Sequence, residues 1–410
     1  MVRFVECAAR CARHTLLIIT PLGSSMRYAF RLAELLGHTP DRRKRPGTIK
    51  AIVEHTGLDR HQVAALLKNE AKYIPMEALS RLCDYLIDHG YATADQLPGA
   101  LFAIRPENFW ELLARRRNLE ICVGVRRGEN PGEAPDSAWV VASDLVLFGE
   151  LLNGVSTVGG AAKHRARRPG QVDASEDEPP QPARLQQTLV WSPGHVSAEE
   201  TQNRARLSFE AFSEASGDKA LVCIGSVKSN PVVDIVVSEA FGGEPFTSQD
   251  DVMDPRERSS PFFLRYRDND PKPASLSAGM RLAKNAPADQ PGIYYEMEDG
   301  SWTWAGGGSG QDAALVFYVY REPLGRLEML LSGFSGRATR LLSRTLAIRA
   351  EEFWPPVVDE PNIQVGAFIV QYDTEAVSDR NFDALQTNLM AGTRVIRLPS
   401  EPIRRRLIPS

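Results

Sequence analysis

The stretch from Thr48 to Leu86, TIKAIVEHTGLDRHQVAALLKNEAKYIPMEALSRLCDYL, leaves this chain the least conformational freedom. Three apolar-periodic segments follow one another across short breaks. Ile49, Ile52 and Val53 share one helical face, Val63, Leu66 and Leu67 a second, and Leu79, Leu82 and Leu86 a third. Between the first two segments, Thr56-Gly57-Leu58-Asp59 is a tight connection. Gly57 can take the left-handed conformation that ends a helix, and Asp59 can cap the next one.

Composition supports a folded chain with a local electrostatic bias. The 410 residues suffice for two or three domains, and the formal net charge of −4 carries no global signature of a nucleic-acid partner. Charge is uneven, however: from Met26 to Pro75, ten Lys/Arg face five Asp/Glu. Such a local excess is what a phosphate partner responds to. The five cysteines are scattered, which argues against a disulfide scaffold and for a reducing cytoplasmic location. Cys7, Cys11 and His14 can share a helical face but lack a fourth ligand, so no metal site is expected. No apolar run approaches the roughly 20 residues of a membrane helix.

Two short helices joined by a Gly-containing turn form the helix-turn-helix pattern, whose second helix can enter a major groove. Over roughly residues 27–102 the chain resembles the lambda-repressor/Cro-like (Xre-type) helix-turn-helix family. The resemblance makes the amphipathic segment Tyr28–Leu36 helix one and places a recognition helix from about Arg60 to Lys68. It implies that Arg60, His61 and Gln62, near the start of that helix, face base edges. Arg and Gln can make bidentate contacts to guanine and adenine respectively, whereas Ala65 offers only a methyl group. It further implies that Thr48, Lys68, Asn69 and Lys72 hold phosphates, which fix register without reading sequence. The consecutive cations Arg42, Arg43, Lys44 and Arg45 are a solvated surface run or an added backbone contact. Family members act as dimers on paired half-sites, so a homodimer or higher homo-oligomer on a double-stranded DNA operator is implied.

Beyond Arg105-Pro106 the period changes. Phe109–Arg117 reads as a connector helix, Leu119–Val125 as a buried strand and Ser143–Val155 as a helix, the repeating unit of a parallel sheet. Further strands are expected at Thr188–Trp191, Ala220–Gly225, Phe262–Arg267, Ala314–Tyr320, Arg326–Leu331 and Ile363–Tyr372, with helices at Ala198–Ala215, from Pro231, and at Ala338–Leu346. A hairpin is expected at Ile293–Ala305, turning at Asp299-Gly300. Residues 159–184 are rich in proline and charge with hardly an aliphatic side chain, the composition of a disordered loop. The expected organisation is an N-terminal extension at 1–26, an all-α helix-turn-helix domain at 27–104, a connector at 105–118, a Rossmann-like α/β domain with a mostly parallel sheet and a β-hairpin insertion at 119–393, and a peripheral tail at 394–410.

Two loops in the α/β part share one architecture: Gly225, Ser226, Lys228, Ser229 and Asn230, and Gly333, Ser335, Gly336 and Arg337. Each follows a buried strand and precedes a helix. On parallel neighbouring strands both would lie at the carboxyl edge of the sheet, where open α/β folds bind ligands. Small residues and helix N-termini suit an anion, and Lys228 and Arg337 offer countercharge. The loops therefore call for a small anionic or nucleotide-like ligand. Catalytic constellations are not evident. Gly333-Phe334-Ser335-Gly336 lacks the second spacer of a nucleophile elbow, and there is no HExxH. Asp144, Asp234, Glu239 and Asp312 are carboxylates available for acid–base chemistry, but spacing alone does not bring them together.

The sequence thus reads as a cytoplasmic DNA-binding transcriptional regulator whose α/β domain senses a small ligand or mediates assembly. The competing class is a nucleotide-processing hydrolase or N-glycosidase-like enzyme with an appended helix-turn-helix for autoregulation or targeting. Neutralising Arg42 to Arg45 together is expected to weaken binding to all DNA sequences alike and to flatten its salt dependence, read from binding isotherms between about 50 and 200 mM salt.

Overall fold

The computed structural model describes residues 28–36, 48–68, 70–94, 97–98, 101–104, 106–116, 118–127, 138–157, 184–215, 218–252, 254–281, 290–307, 310–360, 362–374 and 392–408. The expected extension at 1–26, the Arg42–Arg45 run, Asn69 and nearly all of the 159–184 loop lie outside the described residues.

The N-terminal part begins with β1 (Tyr28–Phe30) and the four-residue α1 (Leu32–Leu35), followed by α2 (Thr48–Thr56), α3 (Arg60–Leu67) and α4 (Met76–Asp88). Ile52, Val63, Leu66, Leu82 and Leu86 close a core of their own, as the three apolar faces require. The single helix expected over Tyr28–Leu36 is not formed. Tyr28–Phe30 instead pairs antiparallel with β2 (Phe102–Ile104), and Phe30 meets Phe102 edge-on at 5.4 Å. The amphipathic pattern of this segment was local, and a strand partner from the other end of the domain overrides it.

After the connector α5 (Phe109–Ala114), the chain builds a nine-stranded sheet from β3 (Asn118–Arg127), β4 (Ala138–Val140), β5 (Arg184–Trp191), β6 (Lys219–Ile224), β11 (Gln311–Arg321), β12 (Arg326–Gly333), β13 (Val358–Glu360), β14 (Ile363–Asp373) and β15 (Arg394–Arg397). It is mixed, which corrects the expectation of a mostly parallel sheet. Strands β5, β3, β6 and β12 are parallel neighbours; along the chain α6 (Ala142–Thr157) lies between β3 and β5, and α7 (Ala198–Glu214) between β5 and β6. β11 runs antiparallel to both β12 and β14. The reason is the link between β11 and β12: Glu322–Gly325 is far too short for a crossover, so the two strands can only form a hairpin.

α8 (Val232–Phe241) and α9 (Gly336–Arg349) follow β6 and β12. A second sheet, in the order β10-β9-β7-β8, consists of β7 (Phe262–Arg265), β8 (Ala278–Gly279), β9 (Gly292–Glu296) and β10 (Trp302–Gly306). The expected hairpin is therefore half of a four-stranded unit. Alternate residues of β11 show the layering. Phe317 packs against Phe241 of α8 and Phe262 of β7 at 5.4 and 5.3 Å, whereas Tyr318 on the other face meets Phe109 of α5 at 6.3 Å. The segment expected as a peripheral tail is integral. β15 extends the sheet beside β14, and the short α10 (Ser400–Arg406) buries Ile403 while Arg405 and Arg406 pair with buried Glu296.

One acidic residue joins the two parts of the chain. Asp218, immediately before β6, takes the Arg31 guanidinium at 2.7 Å and lies 3.9 Å from buried Arg116 at the end of the connector. Arg116 is itself held by Tyr320 through a hydrogen bond of 3.1 Å and by stacking over its ring. The helix-turn-helix part thus docks at the amino edge of the parallel strands.

Asp234 in α8 fastens the second sheet. One carboxylate oxygen accepts from Ser275 Oγ and the Leu276 amide at 2.5 and 3.0 Å, and the other from the Phe246 amide at 2.6 Å. Burial pushes its pKa up to about 6, with these donors opposing the rise. Because the folded value lies above the unfolded one, its contribution to stability is full below about pH 4 and is lost as pH rises through about 6. Asp234→Asn should remove that part of the pH slope in denaturant midpoints measured from pH 4 to 7. It should also cost about 1–3 kcal/mol, because an amide NH2 then faces one of the donors.

Candidate functional site

The surface with the clearest chemistry is α3 and its approaches. Gly57 ends α2 with φ +71°, a left-handed conformation that a side chain resists, and a Cβ there would stand 3.2 Å from Arg81. Asp59 then caps α3, accepting from the amides of His61 and Gln62 at 2.7 and 2.8 Å. Gln62 Oε1 accepts in return from the Asp59 amide at 3.2 Å, completing a capping box. The Gln62 side chain, expected at base edges, is thus engaged at the helix start and half-buried. The sequence signal was Asp followed three residues later by Gln.

Val63 and Leu66 face the core, so the opposite side of α3 faces solvent. His61 and Lys68 are exposed and seven residues apart, two helical turns, which places them on one strip. Ala64 and Ala65 lie between them, three and four residues after His61. The outward surface is therefore a shallow apolar patch with a polar residue at each end. Arg60 is exposed at its flank, and Lys72 is exposed beyond the helix. Tyr73 and Met76 stand out beside it, 76% and 77% exposed. Thr48 is the first residue of α2.

The two loops of the large part do come together. Gly336, the first residue of α9, would carry a Cβ 3.4 Å from Ser143 Oγ, and Gly225 one 3.7 Å from Asp144 Oδ2. Both loops therefore meet the N-terminus of α6 at the carboxyl edge of β3, β6 and β12. The strand order makes this a switch point, since α6 leads from β3 to β5 on one side while β6 lies on the other.

The side chains do not form the anion cradle expected of them. Lys228 bonds Asp270 at 3.1 Å and the Phe334 carbonyl, and its ammonium sits 4.3 Å from the centre of the Phe334 ring. Burial lowers its pKa despite Asp270, and Arg267 covers the same ring at 4.9 Å. Asn230 is wholly buried and bonds Cys122 O, Ile224 O and the Val232 amide. Ser229 Oγ donates to the Ser226 carbonyl, and the Ser226 hydroxyl is buried and accepts from the Lys228 amide at 3.4 Å. Ser335 caps α9 through the Ala338 amide and donates to Asp312. Gly333 is pinned against Thr339, and Arg337 is exposed. Burial raises the Asp312 carboxyl, opposed first by Ser335 and the Ala313 amide and then by Arg267 and Arg337.

Of the four carboxylates, Asp144 and Asp312 are brought to this edge. Asp234 instead fastens the second sheet, and Glu239 pairs with Arg326 at 3.3 Å. Only the topology reveals that Asp144 and Asp312 belong together.

Residues 42–87 match the family model of the Cro/C1-type helix-turn-helix DNA-binding domain. The N-terminal region is therefore such a domain, and its match supports a DNA-binding regulator. No curated protein and no solved structure matches the chain. Among the described residues no helix is long and apolar enough to cross a membrane.

Replacing Asp59 with Ala should cost about 1 kcal/mol of stability by leaving two first-turn amides without their acceptor. Thermal denaturation of the variant should show the loss, and an unchanged midpoint would rule out the capping role.

Proposed function

We propose that this protein is a transcriptional regulator that binds operator DNA through α3 as a homodimer and senses a small nucleotide-like ligand at the loop cluster of its large domain. The observation that carries the DNA-binding half of this reading is the Cro/C1-type match at residues 42–87, together with the outward strip on α3. The alanine methyls suit contact with thymine methyl groups, and His61 supplies a polar contact at the N-terminal end of the strip. Lys68, Lys72 and Arg60 serve the phosphate backbone. Two such heads on a two-fold axis read half-sites about 10 bp apart or a multiple of this.

The positions of the two sites suggest how a ligand acts. β6 starts beside Asp218, which holds the DNA-binding part, and ends at Ile224, one residue before Gly225 in the loop cluster. Six residues of strand separate the two, about 20 Å. A ligand that binds differently to two arrangements of the loops shifts their populations, and β6 links that choice to the Arg31–Asp218 contact.

Gel-shift titrations on a selected operator test the DNA-binding half of the reading. Lys68→Ala should weaken binding about equally on all sequences and reduce the slope of log K against log salt by about one. His61→Ala should instead narrow the gap between operator and unrelated DNA. If neither variant changes binding, α3 is not the reading helix.

A further inference from the structure

Asp144 is left chemically incomplete by the fold. It lies in the first turn of α6 and is only 4% exposed. Its Oδ1 accepts from Ser143 Oγ at 3.1 Å, but Oδ2 is buried without a hydrogen-bond partner. Buried carboxylate oxygens nearly always have a donor, and an orphaned one keeps the desolvation cost with nothing to offset it. Burial accordingly raises the Asp144 carboxyl, opposed by Ser143 and by the field of Arg126.

The surroundings show what is missing. Gly225, beside Oδ2, has φ +97° and is packed against Ser229 Oγ, whereas Gly336 is exposed and faces only Ser143. Asp312, the second buried carboxylate of this edge, already has Ser335 and the Ala313 amide as donors. Lys228, the cation built into the loop, is committed to Asp270 and the Phe334 carbonyl. The edge thus holds a spare acceptor next to two glycines, with its built-in ammonium turned elsewhere. A phosphate at Asp144 would meet a carboxylate, whereas a hydroxyl would supply the absent donor.

We propose that Asp144 Oδ2 accepts a hydrogen bond from a ribose hydroxyl of a ribonucleotide bound at the switch point between β3 and β6. This rests on the ligand-sensing reading above and deepens it. The sugar, not the phosphate, lies against α6 on the side of exposed Gly336, where a Cβ would meet only Ser143. The phosphate is left to the more exposed side of the cluster, where Arg337 stands at the start of α9.

The test is a thermal-shift series on the full-length protein. The probes are ADP, GDP, CDP and UDP and their 2′,3′-dideoxy counterparts, at 1 mM, on wild type and Asp144→Asn. At least one ribonucleoside diphosphate should raise the wild-type melting temperature, its dideoxy counterpart should not, and Asp144→Asn, whose amide oxygen is a weaker acceptor than a carboxylate, should diminish the response. The ligand-free variant should melt no lower than wild type, because an orphaned charge has been removed. If the variant does not fold, the comparison of ribo with dideoxy probes on wild type decides. Equal responses to the two sets, or a response undiminished in Asp144→Asn, would overturn the assignment to Asp144 while leaving ligand sensing in place. No response from wild type to any of the eight probes would remove both.

Discussion

The large domain is organised around one buried amide. Asn230 donates to the carbonyls of Cys122 in β3 and Ile224 in β6, and its oxygen receives the Val232 amide at the start of α8. A fully buried side chain that meets its hydrogen-bonding demand from three separate elements fixes their relative positions, because moving any one leaves a polar group stranded. The same loop presses on β3 so closely that a Cβ at Gly124 would overlap the Ser229 carbonyl, which also accepts from Ser192 Oγ at 2.7 Å. β3, β6 and the start of α8 are thereby locked together at the carboxyl edge.

That arrangement reverses the roles of the polar loop residues. Serines, an asparagine and a lysine after a buried strand suggest groups waiting for an anion, yet most are spent on the protein itself. Lys228 acts as a strut through Asp270 and Phe334, and Ser335 as a helix cap. What stays unsatisfied is an acceptor, Asp144, so the edge calls for a donor. A loop's composition reports which groups are present, and its hydrogen bonds report which of them are still available.

The DNA-binding part shows the same division. Gln62 completes the capping box with Asp59 and so helps set where α3 begins, while the outward strip is left to His61, Ala64, Ala65 and Lys68. This part is anchored to the opposite edge of the parallel strands through Arg31 and Asp218, with Arg116 and Tyr320 behind them. Stacked over an aromatic ring and hydrogen-bonded to its hydroxyl, Arg116 is held far more firmly than a surface ion pair would hold it.

The sequence by itself determined what depends on neighbours along the chain. The three helices of Thr48–Leu86, the turn at Gly57 and the cap at Asp59 were legible because helical periodicity and capping are local. So were the centres of β3, β6, β11, β12 and β14, as runs of buried apolar residues. Tertiary structure decided what depends on partners far away. Tyr28–Phe30 became a strand because Phe102–Ile104 lies beside it, and the Arg-rich C-terminal stretch joined the fold because β14 and Glu296 receive it. The sheet is mixed because four residues between β11 and β12 permit nothing but a hairpin. The convergence of Asp144 with Gly225 and Gly336 is likewise invisible in one dimension, since strand order is set by which apolar faces can be buried together and not by any single segment.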